Sequence, residues 1–195
     1  NSLQHLLTFE TTLEQLRARY PRTFQRGRTH LQQGEANLRM GYFDDALMEF
    51  ARAEALLGDS DEGDVARLQK AMCAFYGGDI PWAKTQLEVL LQSTSKSIAN
   101  DALENALMIS ANSVEDTLME GLQLIREPML LEAQGKTAAA IEKYKALKNI
   151  LIVHELYDDV CLKLGKLYLD STQWEAALAE FMLVQKAAGE GMWKE

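Results

Sequence analysis

"QGEANLRMGYFDDALMEFARAEALL", residues 33–57, decides the fold. Apolar residues recur at three- and four-residue spacing on both sides of Gly41, the pattern of an amphipathic helix rather than a strand. Gly41 interrupts the run where a left-handed residue ends one helix and lets a second begin. Gly34 before it, with Ala46, Phe50 and Ala53 after it, places small and aromatic residues at fixed offsets across the turn. A small residue on each helix lets the two cross closely, and the aromatic ring fills the space beside the crossing.

The same periodicity extends over most of the chain. It predicts an all-α fold of about ten helices over residues 2–20, 22–40, 43–57, 63–77, 80–93, 96–112, 114–134, 137–150, 154–170 and 173–188. Breaks carry their own signals. Pro21 suits a first helical turn, and Gly77-Gly78-Asp79 before Pro81 reads as a stop and a new start. Ser113 with Asp116 reads as a capping box, Gly135 as a helix end, and Gly189 with Gly191 as the close of the last helix. Pro128 is expected to bend or interrupt helix 114–134, because it lacks an N–H and crowds the carbonyl four residues earlier. No low-complexity stretch divides the 195 residues, which are expected to form a single domain.

The crossing pattern returns. Residues 161–181 contain Cys161, Leu164-Gly165, Tyr168, Ala177 and Phe181. Weaker copies hold Gly78, Ala83, Leu87 and Leu90, and Gly135, Ala140, Tyr144 and Leu147. With these offsets the chain resembles the tetratricopeptide-repeat family, whose helix-turn-helix unit of about 34 residues carries W-x2-L-G-x2-Y and then A-x3-F. Cys161 stands where the leading Trp is expected, Ala71 and Pro128 replace the first-helix glycine in the middle copies, and the family's proline after each second helix is missing. The resemblance implies a right-handed α-α superhelix, a TPR-like solenoid of antiparallel helix pairs that binds proteins or peptides without catalysis. Long bacterial envelope proteins with degenerate arrays are similar in texture, including "SKSIANDALENALMI" at 95–109. That similarity implies a bacterial periplasmic or envelope setting, with the cytoplasm as the alternative.

The resemblance also gives candidate site residues. First helices line the concave face of such a solenoid, and its register points Leu31, Glu35, Leu68, Met72, Ile125, Met129, Leu162 and Lys166 inward, extended by Phe75 and Tyr76. An apolar strip with Met and aromatic residues suits an amphipathic partner segment, unless helix 96–112 covers it. Acidic residues around the strip, including Glu35 and Glu132, favour a basic or neutral partner.

Other chemistry is thin. "HELYD" at 154–158 lacks the second histidine of a zinc-protease motif, and "DSDEGD" at 59–64 lacks the glycine and glutamate positions of a calcium loop. The first is read as helix surface, as are His5 and His30. The second is read as an acidic loop whose last aspartates cap the next helix. Cys73 and Cys161 sit in apolar runs as small core residues. No metal, cofactor or catalytic constellation is expected. A net charge of −9 disfavours nucleic acid, which rewards positive charge, and no apolar run is long enough to enter a membrane as a span. Two other readings stand beside the scaffold: a structural segment of a longer array, suggested by Asn1 at the start and Met192-Trp193 at the end, and a helical enzyme.

Overall fold

The computed structural model describes residues 2–19, 24–91, 96–112, 119–152 and 154–191. They form ten α-helices and, among the described residues, no strand. The helices are α1 (Ser2–Arg19), α2 (Phe24–Met40), α3 (Phe43–Leu57), α4 (Asp61–Gly77), α5 (Ile80–Leu90), α6 (Lys96–Ala111), α7 (Glu120–Ala133), α8 (Thr137–Ile150), α9 (Leu156–Asp170) and α10 (Trp174–Gly191). Each expected helix is present. Pro21 and the Ser113–Asp116 capping box lie outside the described residues.

Some local expectations are corrected. α7 continues through Pro128 without a break, and the proline is buried. Burying its ring offsets the hydrogen bond that its missing N–H cannot make. α10 runs past Gly189 to Gly191, so Gly189 does not end it. The cap of α4 is not an aspartate: Ser60 Oγ accepts the Gly63 N–H at 3.1 Å. Arg67 gathers the acidic loop, reaching Asp59 at 3.0 Å, Asp64 at 2.6 Å and Glu54 at 3.3 Å.

Gly41, at φ +85°, supplies the left-handed turn between α2 and α3. Only Gly41 and Tyr42 separate the helices, so the pair must run antiparallel to pack as it does.

Contacts gather into two compact units, residues 1–106 and 107–195, with the division inside α6. In the first unit α1 packs on α2, α2 on α3, α3 on α4, and α4 on α5. In the second, α7 packs on α8, α8 on α9, and α9 on α10. Ala46, Phe50, Ala53, Ala83 and Leu87 are wholly buried in the first unit, as are Ala140 and Tyr144 in the second. The Tyr144 hydroxyl donates to Glu132 at 3.0 Å, which satisfies its polar end.

The two units repeat one another in detail. Gly34 and Gly165, Ala46 and Ala177, and Phe50 and Phe181 are separated by one and the same interval along the chain. A Cβ added at Gly34 would fall 2.6 Å from the Phe50 ring, and one at Gly165 would fall 2.5 Å from the Phe181 ring. Thr172 follows Gly41 at that same interval and also has positive φ, at +59°. Each second-helix ring thus lies on bare first-helix backbone.

Phe50 is fully buried, whereas Phe181 is only half-buried. Phe181 can yield and Phe50 cannot. Gly34→Ala is expected to destabilise by about 1–3 kcal/mol through overpacking, less the gain of about 1 kcal/mol in helix propensity. Gly165→Ala should cost less than Gly34→Ala. Urea midpoints at unchanged slope check both the loss and its order.

Candidate functional site

The apolar strip expected from the register is not open. Leu31 on α2 is buried, as are Leu68, Met72, Phe75 and Tyr76 on α4, and Ile125 and Met129 on α7. Phe75 and Tyr76 pack edge to face at 6.0 Å. Glu35 and Leu162 are half-buried, and Lys166 alone of the ten is exposed. Burial holds the Glu35 carboxyl above its ordinary range, against the pull of Arg39 and a hydrogen bond from Gln32. The cause of the α4 burial is packing: this helix contacts α3 and α5 and also touches α2. Residues placed inward by register therefore serve as core of the first unit. In the second unit, Ile125 and Met129 are core too.

The structure shows a hollow elsewhere, between α1, α2 and α3. It measures about 490 Å³ and is lined by Glu10, Glu14 and Arg17 of α1, by Gln33, Asn37 and Met40 of α2, and by Tyr42, Asp45, Met48, Glu49 and Arg52 at the start of and along α3. Glu49 is its anchor. This carboxylate is 7% exposed and receives Arg17 at 2.9 Å, Arg52 at 2.6 Å and His30 Nδ1 at 2.6 Å. Arg17 also donates to the Thr29 hydroxyl at 3.3 Å, so one guanidinium ties α1 to both α2 and α3.

His30 is therefore not a surface residue: it is 5% exposed and bonded to Glu49. Burial lowers its pKa from the ordinary histidine value. Arg17 and Arg26 act the same way, while Glu49 opposes them.

The tie recurs in the second unit. Lys148 reaches both oxygens of Glu180, at 2.7 and 2.8 Å, and Glu180 is 8% exposed. Lys148 follows Arg17, and Glu180 follows Glu49, at the interval that separates the two glycine–phenylalanine crossings. Burial works against the Lys148 charge, but the Glu180 carboxylate outweighs it and raises the pKa. Cys161 takes the place of His30, and burial pushes its thiol up to about 11. Cys73 is pushed up to about 12 by the same cause.

The surroundings of the two ties differ. Gln33, Asn37 and Arg52 in the first unit correspond to Leu164, Tyr168 and Leu183 in the second, and Glu10 corresponds to Ile141. Leu164 and Ile141 are buried, and Tyr168 and Leu183 are half-buried. Aliphatic and aromatic side chains thus occupy register positions that carry polar side chains in the first unit. Aligning the two copies residue by residue exposes this difference in the sequence; searching for inward apolar residues does not.

His154 also has a structural task. Its Nδ1 accepts the Leu156 N–H at 3.1 Å, and a Cβ at Gly121 would meet its ring at 2.5 Å. Among the described residues no three His, Cys, Asp or Glu side chains are grouped to hold a metal ion, and no helix is long and apolar enough to cross a membrane. No family model, curated protein or solved structure matches this chain.

Because the folded-state pKa of His30 is lowered, its contribution to stability is full above the ordinary histidine range and is lost as pH falls through that range. The native protein is expected to lose stability between about pH 7 and 5, and His30→Gln should flatten that slope. Glu49→Gln should cost about 3–5 kcal/mol at neutral pH by stranding its partners. Denaturation midpoints across this pH range measure both effects.

Proposed function

We propose that the chain is a non-enzymatic interaction scaffold of the tetratricopeptide-repeat kind that binds a protein or peptide. The observation that carries this reading is the internal repetition, at one fixed interval, of a glycine–phenylalanine crossing together with a buried ionic tie. Repeat arrays of this sort present extended surfaces for partners. The groups best suited to catalysis are committed elsewhere. His30 is bonded to Glu49, His154 accepts a backbone N–H, and both cysteines are buried with raised thiol pKa values. A thiol held protonated is a poor nucleophile. Fold alone does not assign function, so the reading rests on the site described above and on its test.

A second reading, a structural segment that stacks within a longer array, is favoured by α10. Trp174, Leu178 and Met182 recur every fourth residue and are 60%, 61% and 59% exposed. They correspond to Phe43, Leu47 and Ala51 of α3. There, Phe43 and Leu47 face Cys73, Ala74 and Trp82 of α4 and α5 across a hollow of about 440 Å³. The register position that meets another helix pair in the first unit is thus bare in the second, and an apolar stripe of this kind marks a contact surface.

Affinity capture with the immobilised chain separates these readings. Under the scaffold reading, proteins retained by wild type are lost with Asp45→Arg and kept with Leu178→Glu. The reverse pattern favours the stacking segment. Retention of nothing above background overturns the scaffold.

A further inference from the structure

We propose that the cleft between α1, α2 and α3 binds a basic side chain, Lys or Arg, carried on an exposed segment of a partner protein. The inference deepens the scaffold reading and rests on it. Three independent observations carry it.

The first is the contrast between the repeats. The second unit has Leu164, Tyr168 and Leu183 where the first has Gln33, Asn37 and Arg52. Packing an apolar core is the stabilising choice. The first unit instead keeps a hollow of about 490 Å³, within the size range of ligand sites.

The second is Asn37. This side chain is 7% exposed and lines the cleft. Its Oδ1 accepts from Gln33 Nε2 at 3.2 Å, and its amide nitrogen donates to no group of the described residues. That nitrogen is not sealed from solvent, and the carbonyl of a bound peptide backbone can replace water as its acceptor.

The third is charge. The lining holds four carboxylates, Glu10, Glu14, Asp45 and Glu49, and two guanidiniums, those of Arg17 and Arg52. Both guanidiniums are spent on Glu49, at 2.9 and 2.6 Å. Four carboxylates against two guanidiniums leave the lining net negative, which disfavours an anionic ligand. Glu10 and Glu14 stand one turn apart on α1 and are exposed, as is Asp45 on α3. These three carboxylates are free of the Glu49 cluster and would surround an incoming cation. Met40, Met48 and Tyr42 supply apolar surface for the methylene stem of a long basic side chain. The occupant is thus a peptide segment with one inserted Lys or Arg.

The test uses the full chain and fluorescent nonapeptide pools with a fixed central Arg, Lys, Leu or Glu and random flanks. Anisotropy should show the Arg and Lys pools binding more tightly than the Leu and Glu pools, with affinity falling as salt rises. Joint replacement Glu14→Gln and Asp45→Asn should weaken the basic pools by about tenfold. Gln33→Leu with Asn37→Tyr, which installs the residues of the second unit, should abolish their binding. Leu178→Glu should leave it unchanged. Equal or better binding of the Glu pool, no binding of any pool, or basic binding that survives the plug overturns the inference. Should the plugged variant not fold, the exposed carboxylate pair decides: unchanged affinity after its replacement overturns the inference. Retention of protein in the capture experiment together with indifferent pools sinks this inference alone. Failure of both also sinks the scaffold reading.

Discussion

The structure depends on one close approach, a phenyl ring laid on bare helix backbone. Gly34 beneath Phe50 and Gly165 beneath Phe181 leave no room for even a methyl group. That contact sets how near the two helices of a pair can come, and it brings Ala46 and Ala177 into the core beside it. Ridge-into-groove packing then fixes how each pair meets its neighbour. The middle pairs reach the same end by other means. Ala71 stands where the glycine is expected and is wholly buried, and Pro128 is buried within α7. Leu87, at the register position of the ring that follows Ala71, is aliphatic rather than aromatic, in keeping with a less bare first helix.

Over this apolar frame lies an ionic tie that joins a second helix to the next second helix across the first helix between them. Arg17–Glu49 spans α1, α2 and α3; Lys148–Glu180 spans α8, α9 and α10. A buried ion pair is a weak source of stability against an apolar substitute, since both charges leave water, but a lone buried charge is costly. A placement of the helices that parted either cation from its carboxylate would therefore leave a lone buried charge. In the first unit the carboxylate serves three partners, and α1 is joined to it through Arg17 while its Leu13 is buried.

The two units treat the space beside the tie in opposite ways. Where the first lines its cleft with Glu10, Gln33, Asn37 and Arg52, the second has Ile141, Leu164, Tyr168 and Leu183. Giving up apolar packing lowers stability, and sequences seldom do so without a compensating use. The cleft is where the molecule departs from its own repeated pattern.

Much of the fold is legible in the amino-acid order because it depends on local physics. Apolar spacing set by about 3.6 residues per turn places all ten helices, and the glycine at 41 marks a turn because its φ there is positive. The small–aromatic offsets of residues 34 to 53 point to a close crossing before any coordinates are known. Burial of Ala46, Ala83, Ala140 and Ala177 follows from the same offsets. What tertiary structure alone decides is which faces are covered, and by what. Leu68, Met72, Phe75 and Tyr76 have the periodicity of an inner surface, yet α4 packs on two neighbours and touches a third, which turns that surface into core. His30 has no local signal of burial; its partner Glu49 lies on another helix, and Arg17 reaches them from a third. Periodicity along one helix says that a face is apolar. Whether that face meets solvent, a partner or another helix depends on residues far away in sequence, and only the folded chain brings them together.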